Sequence, residues 1–500
     1  MRHSIKIWLP GALFTAVLVL AEVLFMALLI STKLLPVKFL VIIGIACLLF
    51  AGGVYFLTRD ARRGGRLIGG TAMIGVLVIG IAFGSSYIYQ GVETLDTITE
   101  TKIELADVAV YVAAEDAVAN INEASGYTYG MLSAMDRENT DKALNQIAEA
   151  TGSMPTIREY AGVAELVDSI LTTGETQAII MNSAFFGLLG DMEGYEESSS
   201  RLREIHVETV KTEIEVEVEP EKQETGSQDD QALEEEDSTD SSVFSVYISG
   251  IDSRGSVSTV SRSDVNIVAT VNTESHQVLL VSTPRDYYVP LSISNGVPDK
   301  LTHAGIYGIN VSVETLEMLY ETNIDYYFRV NFSGFEDIID ALDGITVDSE
   351  YAFTSADGYY YSAGENNLDG AAALSFARER EAFSGGDRQR GKNQMAVIKA
   401  VINKGLSPAL LANYSQILEG VAGSFEGSMP YDMLAELVRN QLDSGAEWNI
   451  VTYSVDGSGS SQKPYSLSTN AYVMVPDTST VAHAVELMNQ VKNGEVLTQE

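Results

Sequence analysis

The chain has 500 residues, with 31 Lys and Arg against 69 Asp and Glu, a formal net charge of −38 with histidines neutral. That excess of anions excludes a general nucleic-acid binder, whose affinity rests on cations that neutralise phosphates. Hydrophobic residues make up 46% with only 42 Gly and 11 Pro, which suits globular or membrane-embedded structure rather than fibre or bulk disorder, and the single Cys47 excludes an intramolecular disulfide or a Cys-rich metal site.

Three apolar stretches open the chain, at residues 7–30, 34–57 and 67–88, each long enough for a helix across a bilayer core that needs ~20 residues. A cleaved signal peptide fits poorly, since the first stretch is too long and two more follow. Arg2 and Lys6 precede the first stretch, and Arg59, Arg62, Arg63 and Arg66 crowd the loop between the second and third; Lys33 and Lys38 oppose them weakly. Cations stay cytoplasmic, so the reading is a multi-pass cell-membrane protein over residues 1–97, N-terminus inside and everything after about Tyr89 outside. Glu22 lies within the first stretch, either as a functional carboxylate or as a protonated or Lys38-paired group at a helix contact.

Residues 98–218 read as a small α/β unit: a buried strand in the run after Ala106, a helix begun and capped near Asn139, helical spacing through 156–171, a second buried strand at 176–182, a helix from Ser183, and an edge strand at 205–218. No catalytic cluster stands out there. Residues 219–242 carry a dense acidic run with almost no large apolar residue, and so read as a linker. A calcium loop is the alternative, but the spacing and turn glycine that it needs are absent.

Residues 243–500 form a larger α/β domain. Strands are predicted at 243–251, 264–272, 277–283, 326–331, 344–348 and 471–475, and helices at 333–342, 369–380, 388–404, 408–418, 431–442 and 480–492. If the first three strands pair antiparallel, Asp252 and Asp264 meet at one end of the sheet, and the turn at 273–275 delivers Arg285 and Asp286 to that end beside Arg262. Adjacent carboxylates repel unless something neutralises them; a hard divalent cation does so, and arginines around it suit phosphate oxygens. A surface network of Asp–Arg pairs is the other reading. Four further arginines, Arg378, Arg380, Arg388 and Arg390, fall within 13 residues of an otherwise acidic domain. Arg390 and Gln394 share a helix face, whereas Arg378 and Arg380 reach one ligand only if their helix ends there, an ending that Gly385 and Gly386 favour.

These residues stand in stretches that resemble the LytR-CpsA-Psr family, in particular its streptococcal capsule-type CpsA members: Gly250-Ile-Asp252, Ser261-Arg-Ser-Asp264, Thr283-Pro-Arg285-Asp286, Asp299-Lys-Leu-Thr-His-Ala-Gly305, and the runs 376–380 and 387–394. The three-span start and the intervening α/β unit resemble the same subgroup. The resemblance implies a Mg²⁺-dependent phosphotransferase outside the membrane, acting on a polyprenyl-pyrophosphate-linked capsular or wall glycan and attaching it to peptidoglycan, with pyrophosphate hydrolysis as a side reaction and other capsule-assembly proteins as further partners. It assigns the metal to Asp252 and Asp264, the pyrophosphate to Arg262, Arg285, Arg378, Arg380, Arg390 and Gln394, with Lys300 as a further phosphate contact, and chemistry to Asp264, Arg285 and Arg262. It also implies an apolar cavity for the lipid tail. Two departures stand out: Ser253 follows the first aspartate where many members have arginine, with Arg254 one place on, and Asn393-Gln394 replaces a frequent Arg-Gln, which weakens the clamp or passes work to Lys392. His303 and Tyr307 read as packed loop residues. The competing function is a non-catalytic regulator or scaffold that binds the lipid carrier.

Overall fold

The computed structural model describes residues 2–58, 64–99, 103–213, 242–251, 256–407, 421 and 423–499. Asp252, Ser253, Arg254, the arginines at 59, 62 and 63, the acidic stretch 219–241 and the helix expected at 408–418 lie outside the described residues. Helices α1 (Arg2–Ser31), α2 (Val37–Thr58) and α3 (Gly64–Thr99) contain spans Ala12–Ser31, Val37–Thr58 and Ile68–Ser86 that are long and apolar enough to cross a membrane. Leu18, Val54 and Ile74 pack among them, while most of their large apolar side chains face outward, as a lipid-solvated bundle requires. Lys38 pairs with Asp443 at 3.0 Å, so it serves a partner other than Glu22.

A five-stranded sheet follows. Its strands are β1 (Ile103–Ala113), β2 (Thr128–Leu132), β3 (Thr156–Tyr160), β4 (Ala178–Asn182) and β5 (Leu202–Glu213), in the order β3-β2-β4-β1-β5. β4 is buried on both faces, which explains its unbroken Ala-Ile-Ile-Met run. Helices α4 (Arg137–Thr151), α5 (Val163–Leu171) and α6 (Ser183–Phe186) cover it. Two local expectations fail here. The helical reading of 156–171 breaks in two, because Thr156–Tyr160 pairs parallel with β2 as an edge strand before α5 begins. Asn139 is not a cap: the helix starts two residues earlier, after Asp136, whose carboxylate is taken by the amides of Asn139 and Asn182 instead of a backbone N–H.

The second sheet has six strands: β6 (Val243–Ile251), β7 (Ser263–Asn272), β8 (Gln277–Ser282), β9 (Tyr326–Asn331), β10 (Phe425–Gly427) and β11 (Asn449–Ser454), ordered β10-β9-β6-β7-β8-β11. β6, β7 and β8 run antiparallel to one another, and β9 and β11 add in parallel. Helices α7 (Ile309–Tyr320) and α12 (Thr478–Lys492) cover one face; α8 (Phe332–Ala341), α9 (Gly370–Arg378), α10 (Asp387–Gly405) and α11 (Tyr431–Ser444) gather on the other. α7, β10 and β11 were not anticipated. The mixed polarity of Ile309-Asn-Val-Ser-Val hides the amphipathic face that α7 buries through Ile309, Leu316 and Tyr320.

The two sheets share a core across their boundary. Phe185, Leu188 and Leu189 of the first unit pack with Ile306, Leu467 and Ala471 of the second, and Leu105 exchanges backbone hydrogen bonds with Ser258 and Val260, each at 2.9 Å. Phe185 and Tyr307 meet edge to face with centroids 5.6 Å apart, so Tyr307 is a packing residue, as expected.

Candidate active site at the mouth of an apolar cavity

The β6–β7 ladder pairs Gly250 with Val265 and Ile251 with Ser263, leaving Asp264 as the extra residue of a β-bulge. Bulges re-aim side chains at sheet ends, and here Asp264 and its neighbour Val265 both face the same cavity. The preceding loop sits tightly on the turn at Gly305, where a Cβ would lie 2.5 Å from the Ser261 carbonyl oxygen; only glycine permits that approach. Arg285 follows the end of β8 and reaches back, its Nη1 2.7 Å from Asp264 Oδ1, which also accepts the Thr302 hydroxyl at 3.3 Å. Burial opposes the charge on Arg285, but Asp264, Asp286 and more distant carboxylates outweigh it and hold its pKa above the ordinary arginine value.

The cavity has a volume of about 710 Å³. Its walls come from alternate residues of the sheet, such as Val246, Ile248 and Phe328, and from one face of α10: Arg390, Gln394, Val397, Ile398, Val401 and Ile402. Those positions follow the helical repeat, so the cavity runs along α10 for roughly 18 Å at ~1.5 Å per residue, with its polar end at the helix N-terminus. Arg285, Arg378, Arg380, Arg390 and Gln394 line that end with Asp264, the one carboxylate among the described lining residues. Arg378 closes α9 and its guanidinium stacks 4.4 Å from the Phe332 ring; Arg390 pairs with Asp387. α9 does end before Arg380, as a shared ligand requires, but not through Gly385 and Gly386. Glu379 stops it, turning extended while its carboxylate accepts the Ala356 and Ala382 N–H groups at 2.7 and 2.8 Å.

Arg262 and Lys300 do not line the cavity. Both turn to Asp191, a residue of the first unit: Arg262 Nη1 lies 3.4 Å from Asp191 Oδ2 and Lys300 Nζ 3.5 Å from Oδ1. Lys300 also lies 3.2 Å from Asp286 Oδ1. His303 is fully buried beside them, Nδ1 2.7 Å from Asp299 Oδ1 and Nε2 3.5 Å from Asp191 Oδ2. The Nε2 contact lacks hydrogen-bond geometry and is an electrostatic one. Burial alone raises the Asp191 pKa, yet His303, Lys300 and Arg262 reverse that and hold the carboxyl far below the ordinary range. Asp299 is fixed in turn by the Ser466 N–H at 2.9 Å and the Ser466 hydroxyl. Lys392 points elsewhere, to Glu350 at 3.5 Å, while Asn393 is buried against the Phe376 carbonyl. So Lys392 takes no part in the cavity mouth.

Asp191 was missed in sequence because nothing near it looks chemical and its partners Arg262, Lys300 and His303 lie in a distant part of the chain, the nearest 71 positions away. The i,i+4 spacing of Asp299 and His303 is the only local signal that a buried charge cluster exists.

Residues 205–489 match the LytR_cpsA_psr family. The polyisoprenyl-teichoic acid–peptidoglycan teichoic acid transferase TagU of Bacillus subtilis (strain 168) is 33% identical over 217 residues, 43% of this chain and 69% of that protein. TagU of Bacillus mycoides (strain KBAB4) is 34% identical over 197 residues, 39% of this chain and 64% of that protein. A crystal structure of B. subtilis TagV covers 51% of this chain and 99% of its own at 27% identity, with a TM-score of 0.43.

Proposed function

Because the chain belongs to the LytR_cpsA_psr family, we propose that it transfers a glycan from a polyprenyl-pyrophosphate carrier to peptidoglycan at the outer face of the cell membrane. The observation that carries the reading is the joining of a cationic mouth to an apolar cavity: four arginines and Gln394 suit a pyrophosphate, and the aliphatic walls beyond them suit a prenyl chain. The similarity to TagU, a polyisoprenyl-teichoic acid–peptidoglycan teichoic acid transferase, supports the same acceptor and class of donor. The capsule-type branch, with a capsular glycan as cargo, remains part of this proposal on the motifs quoted above.

In this reading a peptidoglycan hydroxyl attacks the sugar-proximal phosphorus and gives up its proton to solvent, the bond from that phosphorus to the bridging oxygen breaks, and polyprenyl phosphate leaves with that oxygen. Arg285, Arg378, Arg380 and Arg390 grip the non-bridging oxygens and neutralise the charge that gathers on the leaving phosphate. The apolar walls hold the prenyl chain, and water reaching the mouth in place of the acceptor hydroxyl gives hydrolysis as the side reaction. Asp264 fits a metal-ligand role, since it presents a hard oxygen donor to the space that the arginines line; with Asp252 it would hold Mg²⁺. When bound, the ion would supply further charge stabilisation to the pyrophosphate oxygens.

Orientation rests on the arginine bias and on one contact set. Lys33, between α1 and α2, and Lys38, in the first turn of α2, pair with Asp432 and Asp443 of α11, each at 3.0 Å. That arrangement supports the α1–α2 loop and the cavity lying on one side of the membrane, the outer one.

The test is to incubate the purified full-length protein with a lipid-linked oligosaccharide and peptidoglycan, with and without Mg²⁺, and to identify the linkage formed. Transfer through a phosphodiester supports the reading. Tight binding of the lipid without turnover would leave the regulator or scaffold role in its place.

A further inference from the structure

The first α/β unit sends one side chain into the charge cluster of the second. Asp191 stands at the end of a 3₁₀ turn, Gly187–Asp191, that leaves α6 and packs through Leu188 and Leu189 into the shared core. From it a continuous line of opposite charges leads to the cavity mouth: Asp191 to Lys300 at 3.5 Å, Lys300 to Asp286 at 3.2 Å, Asp286 to Arg285 at 4.0 Å, and Arg285 to Asp264 at 2.7 Å. A branch joins Asp191 to Arg262 and to the buried His303. Lys300 and His303 have almost no access to solvent, so their charges are screened little and are felt along the line.

We propose that Asp191 is a positioning residue of the transferase site, lent by the N-terminal unit: it holds Lys300 and Arg262 in place and, through Lys300 and Asp286, sets Arg285 while tempering the positive field at the cavity mouth. The inference rests on the proposed pyrophosphate chemistry. Its physical consequence is a split between binding and turnover. Removing one negative charge from the cluster makes the mouth a stronger anion trap, while Arg262 and Lys300 lose the contact that holds them and Arg285, which keeps Asp264 and Asp286, is set less firmly because Lys300 no longer fixes Asp286.

The probe is farnesyl pyrophosphate, titrated calorimetrically into the full-length protein, alongside turnover of a lipid-linked oligosaccharide. Asp191→Asn keeps the shape of the side chain and is expected to bind the probe about threefold more tightly or better, yet to turn over about tenfold more slowly. Asp191→Glu restores the charge and returns the affinity to that of the parent, with intermediate turnover. Glu104→Gln is the control. It weakens another contact between the units, Glu104 with Arg329 at 3.4 Å, but leaves Asp191 untouched and Arg329 still 2.7 Å from Glu426. Its melting temperature should fall with both readouts at parental values. The proposal is overturned if Asp191→Asn binds and turns over like the parent, if it binds more weakly, or if Glu104→Gln reproduces its pattern. A parent that does not turn over would sink the transferase reading alone, because the affinities of Asp191→Asn and Asp191→Glu still decide this one; Asp191→Glu binding more tightly than the parent also overturns it.

Discussion

Asp264 and Arg285 meet at 2.7 Å, Oδ1 to Nη1, although a full hairpin separates them in sequence, and both line the cavity mouth. Their side chains are only 17% and 13% exposed. Each therefore holds the other's charge in a poorly solvated place, and removing one strands its partner.

Asp264→Ala is expected to abolish Mg²⁺-dependent turnover and also to lower stability by ~1–3 kcal/mol, since the largely buried Arg285 loses its nearest counter-charge. Repulsion between Asp264 and Asp252 alone would predict the opposite sign, with stability unchanged or raised in chelator. Thermal melts of parent and variant in chelator decide between the two: a variant as stable as the parent removes the pair as a structural element, and full activity removes Asp264 from the chemistry.

Arg285→Lys keeps the charge and loses the planar fork that meets Asp264 and, in the proposed reaction, two phosphate oxygens. Turnover should fall by ~2 kcal/mol or more in activation free energy, the scale for one charge-assisted donor near the reacting centre. Arg439→Lys, at a position of α11 that does not line the cavity and whose side chain pairs with Glu436 at 3.8 Å, should match the parent. Near-parental rates for Arg285→Lys would mean that only the field matters at this position.

The convergence of strand ends was legible because it follows from alternation and turn spacing: antiparallel pairing of β6, β7 and β8 brings Asp264 and Arg285 together without any knowledge of tertiary packing. The i,i+4 face shared by Arg390 and Gln394 was legible for the same local reason. What stayed hidden depends on contacts between distant segments. Glu379 ends α9 partly by accepting the N–H of Ala356, in a loop more than twenty residues earlier, and Arg262 and Lys300 are drawn to a carboxylate in another unit. Short strands such as β10 carry too little pattern to be seen, because their apolar side is set by what packs over them.

Residues beyond Tyr89 should be accessible from outside the cell. Protease added to intact protoplasts is expected to cut within 219–241, the acidic stretch whose composition reads as a linker. Protection of that stretch until the membrane is opened would reverse the orientation.

His303 ties stability to pH. Burial lowers its pKa, but the charges of Asp299 and Asp191 and their contacts outweigh this, so the folded-state value lies above the ordinary 6.5. The sign follows from the raised value: the folded state binds the proton more tightly, so the contribution is complete below about 6.5 and is lost as pH climbs through the folded pKa. Melting temperatures measured from roughly pH 6 to 9, a range that reaches above the window of about pH 5 to 8 in which ordinary histidines titrate, should decline in the parent, and His303→Asn should flatten that decline. Parallel profiles would show that the imidazole carries no charge between the two carboxylates.

The apolar length of the cavity makes the last prediction. Ile398 lies on α10 two turns beyond Arg390, on the cavity face but past the cationic mouth. A tryptophan there adds a bicyclic ring to a space of about 710 Å³ without touching any charged group. Cavity walls in a packed protein yield little, so the added volume has to come from the ligand's share. Ile398→Trp should then leave the affinity for inorganic pyrophosphate unchanged, while that for a long-chain prenyl pyrophosphate drops by ~2 kcal/mol or more, the worth of a few buried methylenes at ~0.8 kcal/mol each. Titration with pyrophosphates of increasing chain length separates the parent from the variant: the parent gains affinity with each added isoprene until the cavity is full, and the variant stops gaining earlier. Equal gains in both would mean that the chain does not run along α10, and the lipid would have to be assigned to another surface.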